Sequence, residues 1–327
     1  MLLLAPQVYG KGYDTSLEGR AFVDEMETKY GFEGDRVKAL LADAARSDDI
    51  LESIRRPAER TLTWGEYRKI FIKPERVEQG AAFLRKHEEA FARAEAEFGV
   101  PATVIAGIIG VETWYGNYKG KYRVLDALAT LAFDYPPRSR FFRSELVQYL
   151  LMTREQGLDP LAVKGSYAGA MGYGQFISSS YRNFAIDFDG DDIADLLGNP
   201  VDAIGSVANY FSAHHWHPDG PVAEPLDGQL PADSPLLTGE LKPQLTVSDY
   251  RNAGLTPELV DDRSSPARAI LLEGKDGPEL WLTYHNFYVI TRYNHSHLYA
   301  MAVFELAGEL GRALDKHENN SEQTQEP

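Results

Sequence analysis

The stretch PATVIAGIIGVETWYG, residues 101–116, decides how this chain is read. Pro101 suits the first turn of a helix, where its missing N–H would have no partner. That helix is expected from about 102 to 113. Within it Ile105, Ile108, Ile109 and Glu112 share one face, by three- and four-residue spacing. Glu112 therefore continues an apolar stripe. It also lies near the helix C-terminus, where the macrodipole is negative. Burial and dipole both disfavour a charged carboxylate, so the expected shift of its pKa is upward. A glutamate that keeps its proton near neutral pH can serve as a general acid. A carboxylate satisfied by an arginine or a backbone amide would read the same way, because buried ion pairs also perturb pKa values. Thr113 to Gly116 sets aromatic rings and a chain turn beside the acid, as the wall of a sugar cleft would.

Working outward, the residues before Gly99 predict a long helix over 77–98, with Phe83, His87, Phe91, Ala94 and Phe98 on one side. Gly99 ends it, because glycine tolerates a left-handed cap. Residues 17 to about 60 also read as helical, with Phe22, Val23, Met26 and Tyr30 on one face. The segment RPAER, residues 56–60, interrupts that pattern, and a mixed aromatic stretch follows up to Pro74. Beyond Gly116, helical patterns cover roughly 124–132, 139–156 and 200–214. From Pro218 to Pro243 six prolines exclude a continuous helix. Alternating runs at 267–272 and 280–283 then read as strands. Residues 297–313 return to a helical pattern.

The expected fold class is α+β and mainly α-helical. An N-terminal extension, 1–16, precedes a helical region over 17–216. A small β-containing lobe spans 217–285, and 286–314 return to the core. The tail, 315–327, is polar and expected to be disordered.

Composition narrows the function. The chain has 327 residues, 43% hydrophobic and 25% charged, which suits a globular protein with a sizeable core. Its net charge of -16 repels phosphate backbones, so nucleic acid is not an expected partner. The 18 tyrosines and four tryptophans offer aromatic faces with polar tips, suited to sugar rings, although most such residues serve the core. With no cysteine, disulfides, thiolate metal sites and a lipid-bearing cysteine are excluded. The three leucines near Met1 lack the basic flank and full apolar run of a signal peptide.

Two further motifs carry chemistry. Residues 164–176, KGSYAGAMGYGQF, surround Ser166 and Gln175 with glycines that permit close backbone approach. Serine and glutamine offer neutral donors and acceptors for hydroxyl and acetamido groups. A tight packing turn without a ligand is the competing reading. Residues 187–195, DFDGDDIAD, place carboxylates at loop positions 1, 3, 5 and 9, which resembles an EF-hand loop. Position 6 is Asp192 instead of glycine, and position 12 is Gly198 instead of glutamate. Five acids this close would repel one another without a cation.

The run GIIGVETWYG, 107–116, resembles the catalytic segment of the lytic murein transglycosylase B family, glycoside hydrolase family 103. The resemblance extends in order through RTLTWGEYR (60–68), VLDALAT (124–130), the 164–176 motif, DAIGSVANYF (202–211) and TRYNHS (291–296). It implies a lysozyme-like catalytic core in the helical region. It implies that Glu112 acts alone as acid and base on the β-1,4 bond between N-acetylmuramic acid and N-acetylglucosamine. The product would be a 1,6-anhydromuramyl end, formed without water. Ser166 and Gln175 would face the catalytic centre. Tyr67, Tyr210, Tyr293, Asn294 and Tyr299 would line the saccharide groove. Arg138 would meet the peptide stem, although Pro137 stands where some relatives have a second arginine. A structural Ca²⁺ would be held by Asp187, Asp189, Asp191, the carbonyl of Ile193, and Asp202, with no organic cofactor. The implied partners are peptidoglycan glycan strands and proteins of cell-wall synthesis, met by a monomer in the periplasm. A muramidase on the same fold, a non-catalytic wall-binding module and a calcium-regulated interaction protein are the competing readings.

Overall fold

The structure is a computed structural model that describes residues 12–56 and 61–323. The helical pattern after residue 16 resolves into three helices, α1 (Leu17–Tyr30), α2 (Gly34–Asp43) and α3 (Asp48–Ser53). Ser16 caps α1 by accepting from the Gly19 amide, and Phe22 and Met26 are fully buried. The aromatic stretch before Pro74 forms α4 (Trp64–Phe71), closed at its start by a capping box between Thr63 and Glu66. Its mixed aromatic pattern predicts no helix. The single helix expected over 77–98 is two, α5 (Pro74–Lys86) and α6 (Glu88–Phe98). The chain leaves helical geometry at His87, which folds the Phe83 ring against Phe91, 5.8 Å away, and His87, 4.8 Å away. Gly99 ends α6 at φ 68°, as its position predicts.

Next comes α7 (Ala102–Thr113), whose bounds match the expectation. It differs in burial. Nine of its residues are buried, around the whole circumference, because α5, α6, α11 (Pro200–Ala213) and α14 (His297–Gln323) all pack on it. Between α7 and α11 the chain forms β1 (Tyr122–Arg123), α8 (Val124–Asp134), α9 (Ser139–Glu155), β2 (Lys164–Gly165) and α10 (Ser178–Phe184). β1 and β2 pair antiparallel, and α8 packs on α9.

After α11 the proline-rich segment builds an antiparallel sheet in the order β3-β6-β5-β4. Its strands are β3 (Ala223–Pro225), β4 (Leu245–Thr246), β5 (Pro266–Glu273) and β6 (Pro278–Thr283), with α12 (Val247–Asn252) between β4 and β5. Ile270 pairs with Trp281 in the central hairpin, which contains both expected strands. The lobe has its own core of Leu226, Val247, Tyr250, Ala269, Leu282 and Tyr284. α13 (His285–Tyr293) then leads to α14. The tail expected to be disordered from Asp315 begins as helix, since α14 runs on to Gln323. Extending a formed helix needs no new nucleus, and Asp315, Lys316 and Glu318 are compatible with it.

The chain gathers into two compact units. One contains α1–α3 with Lys119–Ala185 and Leu196–Gly198. The other contains α4–α7, Ile186–Asp195 and the described residues from Asn199 onward. Among the described residues no single helix is long and apolar enough to cross a membrane.

Candidate active site and cation loop

Glu112 is the penultimate residue of α7 and half-buried. The helix stops at Thr113, because Trp114 and Tyr115 adopt left-handed φ values of 52° and 58°. Thr113 secures the turn. Its Oγ1 donates to the Ile109 carbonyl at 3.1 Å and accepts from the Gly116 amide at 3.0 Å.

From α14, the Tyr299 hydroxyl donates to Glu112 Oε1 at 2.6 Å. Tyr299 is 3% exposed. Its ring lies parallel to that of Tyr293, with centroids 6.5 Å apart. Tyr293 in turn meets Tyr210 of α11 edge-on at 4.8 Å. Tyr210 donates its hydroxyl to the Arg292 carbonyl at 2.6 Å. Burial, then the charge of Glu112, holds the Tyr293 and Tyr299 phenols well above their ordinary pKa. Burial pushes Tyr210 up to about 12. All three are neutral at physiological pH. Tyr67 of α4 is buried at 1% exposure, with its ring tilted 46° to that of Phe71 and the centroids 5.0 Å apart. Asn294 ends α13 and is half-buried. The second unit thus gathers Glu112 with Tyr210, Tyr293 and Tyr299. Tyr67 is buried in the same unit.

The other three expected site residues belong to the first unit. Ser166 Oγ accepts from the Ala168 and Ala170 amides at 3.3 and 3.1 Å, which ties its own loop. Gln175 is left-handed at φ 50°, and its Nε2 donates to the Gly172 and Lys119 carbonyls. Arg138 is exposed and lies over Phe141 at 4.2 Å.

The acidic loop belongs to the second unit. Asp187, Asp189 and Asp202 each bring a carboxylate oxygen within 4.8 Å of the others. Asp202 is fully buried and accepts from the amides of Phe188 and Asp195, both at 2.8 Å. Burial raises its pKa, helped by the charge of Asp189 and opposed by those amides. Burial also tends to raise Asp187, but the amides of Gly190, Asp192 and Asp191 outweigh it and hold the group below its ordinary value. Asp192 takes φ 71°, the conformation that loop position 6 demands. Asp191 and Ile193 follow in the loop, with Asp191 Oδ1 accepting from the Ile193 amide at 2.9 Å.

Sequence reasoning missed the residues around Trp114. Arg76 and Lys73, at the start of α5, stand over its ring at 4.4 and 6.0 Å. Two cations three residues apart read in sequence as a solvated helix face, and nothing in their spacing points to a ring forty residues on.

A carboxyl beside neutral phenols can pass a proton to and from an ether oxygen. In a mainly helical, lysozyme-like fold that chemistry defines a glycan-cleaving enzyme. Residues 17–308 match the transglycosylase SLT domain, and the chain belongs to that family as a lytic transglycosylase. It is 43% identical over 317 residues to the membrane-bound lytic murein transglycosylase B of Escherichia coli K12, covering 93% of this chain and 86% of that one. The catenated lytic transglycosylase SltB1 of Pseudomonas aeruginosa superposes with a TM-score of 0.88 at 47% identity, over 92% of this chain and 99% of that one. The Escherichia coli lytic transglycosylase Slt35 in complex with calcium gives 0.85 at 42% identity, over 95% and 99%.

Proposed function

We propose that this enzyme cuts the glycan strands of peptidoglycan in the periplasm, with Glu112 as its single acid and base. The observation that carries the assignment is the 2.6 Å hydrogen bond from Tyr299 to a carboxyl at the end of a buried helix. Glu112 gives its proton to the oxygen joining N-acetylmuramic acid to N-acetylglucosamine as the bond to C1 breaks. Positive charge develops at C1, where the acetamido group of the substrate stabilises it. The muramyl 6-hydroxyl then attacks C1 and returns its proton to Glu112. A 1,6-anhydro ring forms, the acid is regenerated, and no water is consumed. One carboxyl suffices because the substrate supplies the nucleophile.

Tyr299 orients the Glu112 carboxyl, and Tyr210, Tyr293 and Asn294 position the sugar. Ser166 and Gln175 are assigned to sugar contacts, and Arg138 to the peptide stem. Tyr67 is 1% exposed, which leaves it little surface for the saccharide contact assigned to it.

The all-oxygen set of Asp187, Asp189 and Asp202 fits a hard divalent cation. Ca²⁺ is assigned there, with Asp191 and the Ile193 carbonyl completing the set. Bound, it would neutralise the clustered charge and brace the loop. The related Slt35 structure with calcium supports this reading.

The deciding experiment digests purified peptidoglycan with the parent and with Glu112→Gln, and weighs the released muropeptides. Products one water lighter than hydrolytic ones, lost in the variant, are expected. Hydrated reducing ends would mean a muramidase, and retained activity in the variant would remove Glu112 from the mechanism.

A further inference from the structure

α5 buries a cation that has no anionic partner among the described residues. Arg76 is 6% exposed, and its Nε and Nη1 have no hydrogen-bond partner among the described residues. Burial pushes its pKa down, with Tyr115 opposing, yet a guanidinium keeps its charge in a protein. Leaving such a group unpaired is unfavourable, and an apolar side chain of similar volume is often neutral or stabilising in its place. The contacts that Arg76 does make are with ring faces, 4.4 Å from the Trp114 centroid and 5.1 Å from that of Phe71.

Trp114 is the first residue past α7 and two beyond Glu112. It and Tyr115 are both left-handed, a conformation that bulky residues keep only where their surroundings over-determine it. One face of α5 supplies those surroundings, since Arg76, Gly80 and Phe83 follow at four- and three-residue spacing. A Cβ on Gly80 would come within 2.1 Å of the Tyr115 hydroxyl oxygen, and one on Gly110 of α7 within 2.7 Å. The phenol thus occupies a gap that two glycines leave. Phe83 lies 5.6 Å from the Tyr115 ring, and Arg76 covers Trp114.

We infer that Arg76 is a positioning residue for Glu112: its guanidinium clamps the Trp114 indole and locks the left-handed turn that sets how the carboxyl leaves the end of α7. The inference rests on Glu112 being the acid and base. It explains why a buried cation stands where leucine would pack well.

The test uses the full chain with Arg76→Leu, Arg76→Lys, Trp114→Leu and the double variant Arg76→Leu/Trp114→Leu, on soluble glycan fragments. Arg76→Leu is expected to melt at or above the parental Tm. Its kcat should fall about tenfold or more while KM stays within about twofold, the signature of lost transition-state alignment. The kcat–pH profile should shift, because the carboxyl no longer sits in a fixed field. Arg76→Lys, with charge but no planar face, should fall between parent and Arg76→Leu. The double variant should lose no more than the worse single one, since both act through one turn. Parental kcat and pH profile in folded Arg76→Leu would overturn the inference, as would additive losses. Should Arg76→Leu not fold, parental kcat and profile in Arg76→Lys would do the same. Glu112→Gln separates the two layers. If it is inactive while Arg76→Leu is normal, only the role of Arg76 fails. If it is active, the underlying reading fails.

Discussion

The Tyr299 hydroxyl and Glu112 share one short hydrogen bond, and its worth depends on the charge of the carboxyl. A bond to a charged group contributes about 1.5–3 kcal/mol, so removing it from the step that leaves Glu112 ionised would slow that step about tenfold to a hundredfold. Tyr299→Phe keeps the buried ring and loses the donor. Its kcat should fall by that range with Tm nearly unchanged, and parental turnover in single-turnover kinetics would refute the contact's role. Tyr115 presents the opposite case. Its hydroxyl is buried without a hydrogen-bond partner among the described residues, so it bears a desolvation penalty with no return. Tyr115→Phe should raise stability by about 1 kcal/mol in urea unfolding, at unchanged slope. A lower midpoint would mean that the phenol has a partner after all. At this scale the sequence was uneven. Glu112 was legible because a lone carboxyl interrupts an apolar helix. Its bond to Tyr299, 187 positions away, was not, since no local spacing relates two residues brought together by helix packing. Resemblance, and not periodicity, named Tyr299.

Among the elements, α7 and the β5–β6 hairpin were readable from pattern, because each carries its own period and its own punctuation. The break at His87 was not. The apolar face runs on through it, and only the packing of Phe83 against Phe91 decides where the chain turns. Short strands such as β1 and β4 are two residues long and leave no alternation to read. The acidic loop was legible in spacing but not in energetics. Its amides point at Asp187 and Asp202 and hold both carboxylates in place. Binding then adds stability by mass action, about 2.7 kcal/mol at a hundredfold excess over Kd. Calorimetry should show a higher Tm in Ca²⁺ than in EDTA for the parent, and the same Tm in both for Asp187→Asn. The more exposed Asp187 is the better probe, because Asp202 is fully buried and replacing it would disturb the packing around it as well. An equal Tm with and without Ca²⁺ in the parent would end the folding-linked reading of this site.

Over the whole molecule, buried phenols are a common device of both units. Tyr13 and Tyr149 lie in the first, and Tyr115, Tyr210, Tyr250, Tyr284, Tyr299 and the half-buried Tyr293 in the second. Each has its pKa raised, with burial as the leading cause. An acid with a raised native pKa binds its proton more tightly folded than unfolded. Above the unfolded value near 10, unfolding therefore releases protons, and stability falls by about 1.4 kcal/mol per pH unit for each such phenol. Below that value the contribution is complete. These tyrosines should leave Tm flat between about pH 7 and 9 and make it drop steeply above about 10. The net charge of -16 offers a rival cause, since a more negative chain repels itself at high pH. Salt separates the two. At 0.1 M the screening length is about 10 Å, which weakens repulsion between surface charges but barely touches desolvation. Tyrosinate absorbance and far-ultraviolet dichroism followed together should show these phenols ionising only as helix is lost, with a midpoint that salt shifts little. A midpoint that salt moves strongly upward would assign alkaline unfolding to surface charge. Tyrosinate forming in these residues while the helices persist would mean that the phenols are less buried than the structure has them.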